Sequence, residues 1–110
     1  MKHVTIANLP KKQIAPGIAL SSVHLDTCMV TFVEIGEGGV VPEHSHPHEQ
    51  ISVVISGKLE FSVDGEKKTV SAGEAVLVPS NASHGAIAVG GPCVVYDSWS
   101  PVRRDYIIHE

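Results

Sequence analysis

The chain reads as an all-β domain, a sandwich or small barrel, and three features of its 110 residues carry that reading. Helical periodicity is nearly absent. Short runs rich in Val, Ile, Thr and Phe recur between Gly, Pro, Asn and Asp punctuation, the pattern of strands joined by tight turns. No internal repeat, low-complexity tract or linker interrupts them, so residues 1–110 are read as one domain.

Taken in order, strands are expected at His3–Ala7, Ile18–Leu25, Thr27–Ile35, Val40–His44, Gln50–Ser56, Lys58–Val63, Lys67–Ser71, Ala75–Val78, Gly85–Val89 and Cys93–Trp99. Asp64-Gly65 is the strongest turn signal, because a type I′ hairpin needs positive φ at both central residues. Gly57 marks a second tight reversal, and Pro10, Pro16 and Pro101 mark irregular ends. Side chains two apart in a strand share a face, so Gln50, Ser52, Val54 and Ser56 face one way and Ile51, Val53 and Ile55 the other. Outward aliphatics on a closed barrel need a cover. N-terminal strands or a second copy of the chain would supply it, and a homodimer is the expectation.

Bulk composition excludes several functions. Hydrophobic residues make up 43% of the chain, enough for a single core. A net charge of -4 leaves no electrostatic footprint for nucleic acid. No apolar run approaches the roughly 18 residues of a membrane span. The opening residues lack the apolar stretch of a signal peptide, so a cytoplasmic location is expected. Cys28 and Cys93 sit in apolar, strand-like sequence and are read as reduced thiols of the core.

The chemistry concentrates in Glu43-His44-Ser45-His46-Pro47-His48-Glu49-Gln50. Strand spacing points His44 and His46 the same way, and Gln50 rejoins that face after the bend at Pro47. Two neutral imidazoles and an amide oxygen suit one borderline divalent transition metal ion: Ni, Zn, Fe or Mn. A site without cysteine, holding an open position, is catalytic in style. His84, after the loop Pro79-Ser80-Asn81-Ala82-Ser83, is the candidate fourth ligand. His48 is assigned to the rim or to support of a ligand, and Glu49 lies outside the coordination shell. His3, His24 and His109 have no partners in sequence. Gly36-Glu37-Gly38-Gly39 lacks the final glycine and following helix of a dinucleotide loop.

Near the end, Asp97 closes an apolar strand, where a carboxylate is costly unless used or paired. Arg103 follows a Ser-Pro turn that would fold it back over the barrel mouth. The pair is read either as an ion pair pinning the tail or as functional groups.

These motifs resemble those of the cupins. Gly38, His44, His46, Gln50 and Gly57 match the first cupin motif in spacing, and Gly73, Pro79 and His84 match the second. Gln50 stands where many cupins have Glu, Asn81 replaces a Gly, and the late Asn of the family falls on Ala88. The resemblance implies a double-stranded β-helix (jelly-roll-like) barrel with His44, His46, Gln50 and His84 facing inward around the metal. The ending Asp97-Ser98-Trp99-Ser100-Pro101-Val102-Arg103-Arg104-Asp105-Tyr106 is similar to that of the KdgF-type cupins, with Trp99 where Phe is usual. That subgroup linearises 4,5-unsaturated uronates from pectin and alginate. The resemblance implies a catalytic pair at Asp97 and Arg103 and a small sugar acid as substrate. Other cupin chemistry remains the alternative: an iron dioxygenase, an isomerase, or a non-catalytic sugar- or metal-binding module.

Overall fold

The computed structural model describes residues 1–109. Ten strands form two sheets: β1 (Lys12–Ala15), β2 (Ile18–His24), β3 (Met29–Ile35), β4 (Val40–His44), β5 (Glu49–Ser56), β6 (Lys58–Val63), β7 (Glu66–Ser71), β8 (Ala75–Val78), β9 (His84–Ala88) and β10 (Cys93–Ser100). One sheet has the order β1-β2-β3-β10-β5-β8 and the other β4-β9-β6-β7. The paired strands are antiparallel throughout.

The turns follow their residues. Asp64 and Gly65 take φ of 48° and 83°, closing the β6–β7 hairpin. Gly57 takes φ of 80°, and a Cβ there would lie 2.3 Å from the Pro92 carbonyl oxygen, so the β5–β6 reversal admits no side chain. Asn81 takes φ of 65° in the loop before β9, the left-handed conformation that Asn tolerates better than most residues.

The N-terminus departs from expectation. His3–Ala7 is no strand; Ile6–Asn8 forms a single 3₁₀ turn, and residues 1–8 are exposed. The edge of β2 is taken instead by Lys12–Ala15, returning through Pro16-Gly17. Strand propensity yielded to pairing, because a β-branched run gains little without a neighbouring strand. The N-terminal residues therefore do not cover the outward triplet. Ile51 and Ile55 remain 42% and 45% exposed, and Leu77, paired to Ile51, is 70% exposed.

Inside, the six-stranded sheet stacks its side chains in rows. Leu20, Val33, Val95 and Val54 form one buried apolar row across β2, β3, β10 and β5. Ile18, Ile35 and Cys93 form the next, toward one end of the barrel. Leu59, Phe61, Ala86 and Ala88 close this core from the other sheet. In the opposite direction the row becomes Thr31, Asp97 and Ser52, all buried and all polar. Trp99, Met29 and Val102 form a second apolar cluster beyond it.

Candidate metal centre and active site

His44 is the last residue of β4 and pairs with His84, the first of β9. The register shifts between Val41 and His44, a bulge in which Pro42 and Glu43 stand opposite Gly85. Such an insertion reverses the alternation of faces. It is how both Val41 and His44 come to line the interior. Gly85 makes it possible, since a Cβ there would meet the Val41 carbonyl at 2.9 Å.

His46 is not in a strand. It lies in the connection between β4 and β5, so shared strand parity does not explain why it joins His44. The loop before β9 holds it instead: the Asn81 amide donates to the His46 carbonyl at 2.8 Å, and the Ser80 hydroxyl donates to the Pro47 carbonyl at 2.6 Å. Gln50, the second residue of β5, faces inward and is buried, whereas Glu49 points out.

The structure thus brings His44, His46 and His84 together, with candidate ligand atoms all within 4.8 Å of one another. Each ring is oriented through Nδ1. His44 Nδ1 donates to the Pro42 carbonyl at 2.8 Å, His46 Nδ1 to the His48 carbonyl at 3.0 Å, and His84 Nδ1 to the Ala82 carbonyl at 2.9 Å. A carbonyl only accepts, so Nδ1 carries the proton and Nε2 of each neutral ring presents a lone pair.

Gln50 Nε2 donates to the Ser52 hydroxyl at 2.9 Å, which aims the amide oxygen at the imidazoles. Oε1 then lies 3.1 Å from His46 Nε2 and 3.2 Å from His84 Nε2. Acceptor faces acceptor in this amide orientation, an arrangement that a cation held between them satisfies. Burial works against extra protons on the rings, lowering the pKa of both His46 and His84; their carbonyl hydrogen bonds offset this in part, and Arg103 adds to it. Four convergent neutral donors fit a divalent transition metal, with imidazole orientation already set by backbone carbonyls.

His48 is not part of this group. Its backbone carbonyl orients His46, while its ring stands edge-on to Trp99 at 6.2 Å, with Nδ1 buried and unpartnered.

Asp97 lines the same cavity as His44, Gln50 and His84. Its Oδ1 is buried without a hydrogen-bond partner. Burial pushes the carboxyl from its ordinary 3.8 up to about 6, against the opposing pull of Ser52, Arg103 and Gln50. It can therefore hold or release a proton near neutral pH.

The tail-pinning ion pair between Asp97 and Arg103 is absent among the described residues. Arg103 pairs instead with Asp105, its Nε donating at 3.2 and 3.3 Å to the two carboxylate oxygens. The guanidinium lies 4.0 Å from the Tyr106 ring centroid and 5.0 Å from that of Trp99. Trp99 is itself fixed, its Nε1 donating to the buried Thr31 hydroxyl at 2.9 Å.

Ser52, Thr31, Asp105 and Tyr106 were given no role by the sequence reading. Ser52 carried a signal there as the residue sharing the face of Gln50, and Asp105 and Tyr106 as the last two residues of the ending that resembles the KdgF type; Thr31 carried none.

The cupin domain family matches residues 31–99. The pectin degradation protein KdgF of Dickeya dadantii is 31% identical over 83 residues, which cover 74% of this chain and 76% of that protein. The structure of KdgF from a Halomonas species superposes with a TM-score of 0.92 at 30% identity, covering 97% of this chain and 99% of that one. An RmlC-like cupin from Shewanella frigidimarina gives a TM-score of 0.90 at 26% identity, with 97% of each chain covered.

Proposed function

The chain belongs to the cupin family, and from that premise we propose that it is a metal-dependent enzyme that opens the ring of 4,5-unsaturated uronates. The product is the open-chain 4-deoxy-5-keto acid. The observation that carries this reading is the buried Asp97 carboxyl, held at about 6 beside the four-donor cage. The similarity to KdgF supports the substrate class.

His44, His46, His84 and Gln50 are the residues that would hold the ion, which supplies Lewis-acid polarisation of a substrate oxygen. The reaction is an isomerisation. The bond from C1 to the ring oxygen breaks as the C1 hydroxyl loses its proton, leaving an aldehyde. C4 gains a proton, and the former ring oxygen becomes the C5 carbonyl. Asp97 moves the proton at the C4–C5 enol ether. The Arg103 guanidinium holds the substrate carboxylate through a two-pronged contact. Trp99 forms one wall of the cavity.

A homodimer joined through the outer face of the six-stranded sheet accompanies this reading, supported by the exposed Ile51, Ile55 and Leu77. A cytoplasmic setting is supported by the unpaired thiols of Cys93, buried in the core, and of Cys28, which lies exposed just before β3 and not in the core as expected.

The test is direct. Metal-replete protein is mixed with unsaturated galacturonate and, separately, unsaturated mannuronate, and the ultraviolet absorbance of the alkene is followed. Enzyme-dependent loss of absorbance is expected with at least one. No loss with either, at full metal content, would end the proposal.

A further inference from the structure

We infer that Asp105 and Tyr106 are positioning residues that hold Arg103 as a preformed carboxylate receptor. The inference rests on the proposed reading of Arg103 as the group that binds the substrate carboxylate, and extends it to residues that touch no substrate.

Free arginine is a long, mobile side chain, and immobilising it on binding opposes affinity. Here that mobility is already removed. Arg103 is 16% exposed at its side chain, with its guanidinium close to the Tyr106 and Trp99 rings. The two rings are themselves in edge contact at 5.7 Å. A planar cation near aromatic rings is attracted by their electron density and kept from rotating out of place.

Asp105 determines which edge of the fork remains available. It takes the Nε hydrogen with both of its oxygens, and among the described residues no protein acceptor is bonded to either Nη. The Nη edge is thereby left for a carboxylate, and Arg103 lines the cavity that also holds Asp97 and Gln50.

Tyr106 is anchored in turn. The Ser22 hydroxyl donates to its backbone carbonyl at 2.6 Å, and its ring packs against both apolar clusters. A local 3₁₀ turn, Arg104–Tyr106, carries the three side chains into register. Asp105 is exposed, and its side-chain hydrogen bonds among the described residues go to Arg103.

The experiment measures calorimetric affinity for D-galacturonate, with D-galactose as the uncharged control, on the metal-replete protein. The parent should bind the acid and not the neutral sugar. Asp105→Ala and Tyr106→Leu should each weaken binding about tenfold, the size expected when a charge-assisted contact loses its preset geometry. Tyr106→Phe, which keeps the ring, should recover most of the loss. In an Arg103→Lys background neither substitution should weaken binding further, because both act through the guanidinium.

Additive losses in that background would overturn the inference, as would equal binding of the two sugars by the parent. If Tyr106→Leu fails to fold, the exposed Asp105→Ala still decides. A second readout needs no sugar: the Arg103 Nε–H resonance should exchange slowly in the parent and quickly in Asp105→Ala, and unchanged exchange contradicts the receptor. Intact galacturonate binding without ring opening would sink the proposed reaction and leave the receptor standing. Ring opening with unaffected Asp105 and Tyr106 variants would do the reverse.

Discussion

The same strands build two interiors. Along β5 the inward residues run Gln50, Ser52, Val54; along β10 they run Trp99, Asp97, Val95, Cys93; along β3 they run Met29, Thr31, Val33, Ile35. At one end the rows are aliphatic and close-packed. Toward the other they hold an amide, two hydroxyls and a carboxyl, closed off by Trp99 and Met29, with His44, His46 and His84 arriving from β4, its following loop and β9. Burying each large aliphatic side chain contributes about 1.5–3 kcal/mol. The polar rows contribute the opposite. Held at about 6 instead of 3.8, ionised Asp97 costs the metal-free fold roughly 3 kcal/mol at neutral pH, an order-of-magnitude figure. The lesson is a division: one end of the barrel holds the fold together, and the other holds groups in states that water would not allow.

Substitutions at the two ends should therefore separate cleanly. The largest effect is expected at the cage. His44→Ala, His46→Ala and His84→Ala should each lose bound metal and, with it, turnover, while the apo barrel stays folded; Gln50→Ala should lose less, because an amide oxygen is the poorest of the four ligands. Elemental analysis and circular dichroism on purified variants measure both. A barrel unfolded by chelator at neutral pH would erase the division.

Asp97→Asn comes next. It should cut turnover by about 10²–10⁴, the usual worth of general acid–base catalysis, with metal content unchanged. Its stability should move the other way. A carboxyl whose folded pKa exceeds its unfolded one favours the fold below the unfolded value, near 3.8, and loses that favour as pH rises to about 6. Metal-free parent should accordingly lose stability relative to Asp97→Asn across that window, as read by denaturant melts at successive pH values. Parallel curves would contradict the buried charge.

At the apolar end, Leu59→Ala should cost about 2–5 kcal/mol of stability, leaving metal per folded molecule unchanged. A loss of metal affinity there would show that the two ends are coupled. The smallest effect is expected outside both interiors: Val53→Lys should reduce association in sedimentation without changing melting temperature or metal content. A parent that is monomeric at high concentration would remove the dimer.

Much of this division was legible in the residues. The strand runs from Val40 to Ser100 fall within a residue or two of expectation, because alternation and turn chemistry act locally. Strand spacing pointed to His44, His46 and Gln50, while His84 was a candidate that the resemblance to the second cupin motif added to them. What local pattern missed depended on partners. His3–Ala7 has strand propensity and no strand to pair with, while Lys12–Ala15 reads as polar and gains an edge. The bulge at Pro42 and Glu43 leaves no mark in alternation, though it turns His44 inward. Arg103 was matched in sequence with Asp97, yet the tail folds so that Asp105, two residues away, takes its Nε.

The comparison of His84→Ala with Asp97→Asn, each assayed for bound metal and for turnover of an unsaturated uronate on the same preparation, tests the central claim most directly. His84→Ala should lose both quantities. Asp97→Asn should keep its metal and lose turnover. Near-parental turnover in Asp97→Asn at full metal content would contradict the account, since the buried carboxyl would then have no part in the chemistry.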